Sequence, residues 1–487
     1  GITVPFVSYG GSSLVTNFAA IGLLLRISAD RGQPTRFRAP LRRIQVGWAV
    51  AIAGLALALG WWGLVQSAQL TSRNDNPRRA KAERYSARGT IVDRNALPLA
   101  SVSGEPGGYV RTYPLGAAAP VVGFDSARYG QAGLEAAMDP LLRGEAGYPH
   151  WEIWWHKLLT AAPPAGIDLQ LTLDARLQSE VMAALEGHQG AVVAMGAQSG
   201  ELLALGSSPT FNPANLDDDW AALVQDPNAP LINRVTQASY QPGSMLAPLL
   251  FAWASDQESI DLSEMDGEWG KPVRIDGTLL SCARGEAEAV DSAQLALRLS
   301  CPGGWGPLAV ELGPESTDQW VRAFQFDQGT DVALPSADPW TGSAPSDAEA
   351  LAAFAVGQGS MTLTPLQVAR AYAALLNNGE SPRLRLVQAE RRPTSSWTAY
   401  EAGGEAEPAV GAAAANRTLD ALGQGPDVEY VGEAISGSGG ERVAWYFAAL
   451  ADDPVRPMLL VVLEGEPGTG AQALGRRLLS SLQASFP

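Results

Sequence analysis

Ser244 stands in the stretch Tyr240-Gln-Pro-Gly-Ser-Met-Leu-Ala247, a Pro-Gly turn that hands a serine to the start of an apolar run. A hydroxyl presented at a helix start suits nucleophilic acyl transfer, but it attacks only when a neighbouring base takes its proton. One helical turn on, where a lysine would serve as that base, the sequence has Ala247. Few nitrogen bases are at hand elsewhere: the lysines are Lys81, Lys157 and Lys271, and the histidines are His150, His156 and His188. Ser239 and Tyr240 offer hydroxyls, and neither is a base near pH 7. Ser244 also suits the plainer role of a helix cap.

The elements that must hold this turn are legible around it. Leu169-Gln-Leu-Thr-Leu173 alternates as a strand, Asp174 is placed to cap a helix running to about Glu186, and Gly190–Met195 pairs naturally with Glu201–Leu205 across a Ser-Gly turn. Thr364-Pro365 opens a helix that ends before Gly379, with cap and first-turn proline in their preferred places. Glu433–Gly437, Val443–Leu450 and Met458–Leu463 read as three successive strands, and Ala471–Ala484 as a closing amphipathic helix. The pattern predicts an α+β fold, an antiparallel sheet flanked by helices, with no βαβ alternation.

Charge divides the chain. Up to Ala100 it carries 13 Lys and Arg against 4 Asp and Glu, a balance of +9; beyond, 21 against 47 gives −26. A basic head, apolar runs and an acidic body describe a membrane-anchored, exported layout and exclude a nucleic-acid partner. Ile2–Ile27 and Val46–Val65 are long enough to span a bilayer, and the arginines between them place that linker in the cytoplasm. The expected organisation is a membrane helix over 1–28, a cytoplasmic linker over 29–44, a transmembrane anchor over 45–66, a pedestal over 67–165 and a catalytic-type domain over 166–487. The bulk of the chain is then extracytoplasmic. Export permits a disulfide between Cys282 and Cys301 without requiring one. No Cys/His spacing suits a metal, no cofactor is implied, and His150-Trp-Glu-Ile-Trp-Trp-His156 has its histidines too far apart for one helix face. Its aromatics are expected to pack inside the membrane-proximal module.

From Arg88 to Pro487 the chain resembles the class B penicillin-binding proteins, the membrane-anchored peptidoglycan D,D-transpeptidases. The resemblance rests on Arg88-Gly-Thr-Ile-Val-Asp-Arg94, Arg111-Thr-Tyr-Pro114, Tyr129-Gly-Gln-Ala-Gly-Leu-Glu135, Gly190-Ala-Val-Val-Ala194, Gly200-Glu-Leu-Leu-Ala204, Asn233-Arg234, Gly357-Gln-Gly359 and Thr364-Pro-Leu-Gln367. Residues 1–27 resemble the last membrane helix of the SEDS glycan polymerases through Pro5-Phe-Val-Ser-Tyr-Gly-Gly-Ser-Ser13. Together these imply a SEDS-type polymerase, of the FtsW/RodA kind, fused in cis to a transpeptidase-like partner.

The family's chemistry uses three elements. The first pairs a serine with a lysine one turn later; here it is Ser244 with Ala247. The second is Ser-x-Asn, and the matching stretch is Ser300-Cys301-Pro302. The third is a strand edge, Lys-Thr/Ser-Gly, matched by Ser438-Gly439-Gly440. Each distinctive side chain is replaced, while an oxyanion hole from the Ser244 N–H and a strand N–H near Glu441 needs no side chain. The resemblance therefore implies a pseudo-transpeptidase that partners the polymerase and contacts the peptidoglycan stem peptide. Two alternatives stay open: an active transpeptidase acylated at Ser244 with a non-standard base, and a non-covalent receptor for muropeptide or β-lactam.

Overall fold

The structure, a computed structural model, describes residues 22, 24, 27, 38–61 and 87–484, except 161, 258–259, 261, 263–267, 276–277, 285–289, 401–405, 424–426, 437–439, 451–452 and 454. The chain divides into two compact units, Gly1–Asn76 and Pro77–Pro487.

In the first unit, helix α1 runs Arg38–Gly60. It starts inside the stretch expected as a linker, because Arg38 to Gln45 holds no residue that breaks a helix beyond its first turn. Val46, Trp48, Val50, Ile52, Leu55 and Leu57 are all exposed along it. Among the described residues no helix is long and apolar enough to cross a membrane, so the two expected transmembrane helices are not supported there. The first of them, over 1–28, lies outside the described residues but for three positions.

The second unit begins with a six-stranded sheet in the order Thr398–Ala399, Val387–Arg391, Asp168–Leu171, Ile91–Val92, Pro98–Ser103, Val110–Thr112. Three strands that complete this pedestal sheet, Asp168–Leu171, Val387–Arg391 and Thr398–Ala399, come from beyond residue 165. The landmark side chains form its polar core. Glu135, fully buried, accepts from Arg88 Nε at 2.6 Å and from Arg111 Nε at 2.7 Å, and Arg88 also reaches Asp139 at 2.6 Å. A buried carboxylate is tolerated only when paired in this way. Helix α2, His150–Thr160, projects from this module. Its aromatics do not pack inside the module: Trp151, Trp154 and Trp155 are exposed.

The five-stranded antiparallel sheet holds the candidate site. Its strands are β1 (Gly190–Gly196), β2 (Leu202–Ser208), β3 (Asp427–Ser436), β4 (Glu441–Leu450) and β5 (Pro457–Glu464), in the order β3-β4-β5-β1-β2. Helices cover both faces, which is why β1 and β5 read as continuous apolar runs. On one face, α3 (Ala175–Ala184) and α6 (Gly468–Ala484) bury Leu177, Val181, Leu474 and Leu478 against Val192, Val431, Tyr446 and Val461. Asp174 caps α3 by accepting from the N–H groups of Arg176 and Leu177. On the other face, α4 (Ala247–Asp256) and α5 (Pro365–Leu376) bury Leu250, Val368 and Tyr372 with Val193, Tyr430, Trp445 and Phe447. Each such side chain contributes roughly 1.5–3 kcal/mol by leaving water. Thr364 and Gln367 make a reciprocal capping box at the start of α5.

Candidate active site

Tyr240 starts the turn, pairing its backbone with Leu363 through two N–H···O bonds of 2.9 Å. Its phenol donates to Glu464 Oε1 at 2.7 Å, and Arg234 donates to the same oxygen at 2.9 Å. Burial and the Glu464 carboxylate push the Tyr240 phenol up, so it stays protonated and committed. Gly243 follows with φ 56°, and a Cβ there would come within 2.2 Å of the Glu433 carbonyl oxygen. Only glycine fits so close an approach at positive φ. Residues Gly243–Leu246 form a 3₁₀ turn that runs straight into α4.

Ser244 is 9% exposed. Its Oγ accepts a hydrogen bond from the Glu433 backbone N–H at 3.0 Å, and its carbonyl accepts from the Tyr430 hydroxyl at 3.0 Å. The next carbonyl, that of Met245, accepts from the Tyr372 hydroxyl at 2.8 Å. Ala247, 2% exposed, lies in the core. The nucleophile candidate thus receives a proton donor where activation needs an acceptor.

Strand β3 supplies the facing wall, and its alternation decides what reaches the serine. Tyr430 and Ala434 point to the α4 side, whereas Val431 points to α6. Gly432 lies against the turn; a Cβ there would meet Met245 Cγ at 2.6 Å. Glu433 turns its carboxylate away from Ser244, where it accepts from the Gly468 N–H at 2.7 Å and from Arg442 at 3.4 Å. Burial, outweighing the hydrogen bond to Ser244 and the charge of Arg284, pushes the Tyr430 phenol up and keeps it a neutral donor.

Of the expected third element, only Gly440 falls among the described residues. Ser438 and Gly439 lie outside the described residues, and Gly440, with φ 68°, sits in the hairpin between β3 and β4. The strand residues at Ser244 are instead Tyr430, Gly432, Glu433 and Ala434. The strand N–H at the serine is likewise that of Glu433, not one near Glu441, because Glu441 pairs with Ser436 at the far end of the hairpin. A glycine inside a strand marks a close backbone approach, and Gly432 was that signal in the sequence. Gln358, whose Oε1 accepts from the Ile435 N–H at 3.3 Å, was another residue the motif reading did not single out for the site.

The second element is a closed knot. Ser300 is buried at φ 52°, its Oγ without a hydrogen-bond partner among the described residues. Cys301 is joined to Cys282 in a disulfide, and Pro302 is buried. No hydrogen bond among the described residues joins Ser300 to Ser244. Lys271 lies beside this loop, its carbonyl oxygen 2.5 Å from a Cβ built on Gly303, with an exposed ammonium paired to Glu268. Among the described residues no group of His, Cys, Asp or Glu is arranged to hold a metal.

Behind β3, Glu429 joins three elements. Its carboxylate accepts from Arg476 of α6 at 2.6 Å and from the Tyr446 hydroxyl at 2.7 Å, and it pairs with Arg284, next but one to Cys282, at 3.0 Å. Burial pushes the carboxyl up, but the Arg476 and Tyr446 hydrogen bonds and the arginine charges prevail and hold it at about 2.

Known proteins agree with this architecture. Residues 190–415 match the penicillin binding protein transpeptidase domain, residues 88–169 the penicillin binding protein A dimerisation domain, and residues 1–33 the FtsW/RodA/SpoVE family of cell cycle proteins. Peptidoglycan D,D-transpeptidase MrdA of Acinetobacter baumannii is 31% identical over 281 residues, 51% of this chain and 40% of that protein. Peptidoglycan D,D-transpeptidase PbpA of Mycolicibacterium smegmatis is 29% identical over 379 residues, 72% of this chain and 75% of its own length. The chain therefore spans less than half of the first relative and three quarters of the second. The crystal structure of PBPA from Mycobacterium tuberculosis superposes with a TM-score of 0.70 at 25% identity, covering 82% of this chain and all of that one. That protein has been captured as imipenem and penicillin G acyl-enzymes. Residues 190–415 and 88–169 are thus similar to the transpeptidase and dimerisation domains of the penicillin-binding proteins. The chain's similarity to individual members points to the D,D-transpeptidases MrdA and PbpA.

Proposed function

We propose that the chain is a membrane-anchored, penicillin-binding-protein-like component of peptidoglycan synthesis, serving cell shape or division, whose transpeptidase fold is kept while its turnover is lost. The observation that carries this reading is the hydrogen bonding of Ser244: its Oγ accepts an N–H, and Ala247 occupies the place of the base. General-base assistance is worth about 10²–10⁴-fold, and losses among cooperating groups leave little behind. The third element is then Tyr430-Val-Gly432, with a buried, neutral tyrosine where the family's lysine would meet the substrate carboxylate. A carboxylate substituting as base is disfavoured by Glu433, whose oxygens are engaged on the far side of β3.

The partner in this reading is a SEDS-type glycan polymerase fused in cis, supported by the match of residues 1–33. The anchor in this reading rests on the sequence, where the apolar run Val46–Val65 follows Arg42 and Arg43. The bulk of the chain is then extracytoplasmic, where a disulfide persists. Ser300, Pro302, Ser438, Gly439 and Gly440 carry no catalytic role in this reading. Turnover is tested by incubating the full chain in detergent with a stem peptide ending in D-Ala-D-Ala and measuring released D-alanine. None is expected above a Ser244→Ala control; Ser244-dependent release would overturn the reading.

A further inference from the structure

Helix α2 is built inside out. Trp151, Trp154, Trp155, Leu158 and Leu159 recur at the spacing of a single apolar stripe. Such a stripe normally faces a core, yet these five side chains are 51% to 69% exposed and no residue of the helix is buried. The protein holds the helix by its polar side instead. His156 Nδ1 lies 3.1 Å from the Ala162 carbonyl oxygen, Lys157 pairs with Glu145 at 3.4 Å, and the Tyr148 hydroxyl donates to the Ala165 carbonyl at 2.8 Å just before and after the helix. A full tryptophan side chain carries about 150–250 Å² of surface, so three of them half or more exposed form a patch larger than scattered surface apolars.

We infer that α2 docks flat into the headgroup–acyl boundary of a lipid bilayer. Indole rings are amphipathic and concentrate at that boundary, and a Trp/Leu face flanked by a lysine, here Lys157, is the composition of an interfacial helix. Eleven residues make a helix about 16 Å long, too short to span and suited to lying in the plane. A second copy meeting the same stripe would bury roughly 270–450 Å² of tryptophan surface per partner, below the roughly 800 Å² per partner of a standard specific interface. Helix α1 likewise leaves apolar side chains exposed, on all its sides. The inference shares the bilayer with the proposed function but does not depend on α1 crossing it.

The test uses the full chain with phosphatidylcholine vesicles containing acyl-brominated lipid, comparing wild type with a W151S/W154S/W155S variant. Bromine quenches only tryptophans at its depth. The brominated lipid should quench about a fifth more of the total emission in the wild type than in the variant, the share of three tryptophans among 14, while thermal unfolding is unchanged because the substituted side chains are exposed. Equal quenched emission in the two proteins would overturn the inference. So would light scattering in which the variant loses a dimer while quenching stays the same, since the occupant is then a second copy. Co-flotation of the variant reports separately on the anchor: a variant that still floats while its extra quenching is lost supports both readings, and a variant that no longer floats contradicts the anchored reading while supporting docking through α2.

Discussion

At the residue scale, Ser244 is held by donors. The Glu433 N–H takes its hydroxyl oxygen, and the Tyr430 hydroxyl takes its carbonyl. Neither group can accept the serine proton, which is the basis of the proposed loss of turnover. Tyr430→Phe removes one buried donor while Ser244 O keeps the Ala247 N–H. It is expected to cost about 1–2 kcal/mol of stability, read from a shift of the urea midpoint, and to leave β-lactam labelling absent. Gly432→Ala is expected to cost about 1–3 kcal/mol by the same measure, because its Cβ would sit 2.6 Å from Met245 Cγ. Glu429 gives a pH signature. Its folded value of about 2 lies below the unfolded value of about 4.3, so its contribution is complete above the unfolded value and is lost as pH falls through the folded one. The melting temperature should fall between about pH 4.3 and 2 in the wild type and fall less in Glu429→Gln.

At the element scale, what could be read from the chain was what local chemistry determines. The apolar runs of β1 and β5 and the cap Thr364-Pro-Leu-Gln367 are self-contained signals, and the structure places them within a residue or two of expectation. Strand β3 was less legible. Asp427, Glu429 and Glu433 break its apolar character, and their partners Arg284, Arg476 and the Gly468 N–H are remote in sequence. An expected start at Glu433 left Tyr430 and Gly432, both beside Ser244 in the structure, outside the strand. The stripe of α2 misled in the opposite sense, because periodicity announces an apolar face without saying whether the protein itself covers it. The disulfide Cys282–Cys301 follows from neither spacing nor period; it forms because Ala283 and Arg284 run alongside Leu299 and Ser300 through backbone hydrogen bonds. Replacing both cysteines by serine should lower stability by about 2–4 kcal/mol, measured as a midpoint shift, by freeing the 19-residue separation they close.

At the scale of the molecule, pedestal and transpeptidase domain share one framework. Asp168–Leu171 pairs with Ile91–Val92 on one side and Val387–Arg391 on the other, so the boundary near residue 165 is a point on the sequence rather than a seam in the fold. A fragment starting at residue 166 would expose that strand edge. It is expected to aggregate on size exclusion, whereas a fragment starting at residue 87 stays monodisperse. An intact framework around a donor-lined serine is what a scaffold keeps when binding is retained and turnover is not. The most direct measurement is incubation of the full chain with a fluorescent penicillin, followed by intact-mass analysis, with M. tuberculosis PBPA as the acylating control. The account predicts no covalent adduct under conditions that fully label the control; an adduct present in the wild type and absent in Ser244→Ala would contradict it.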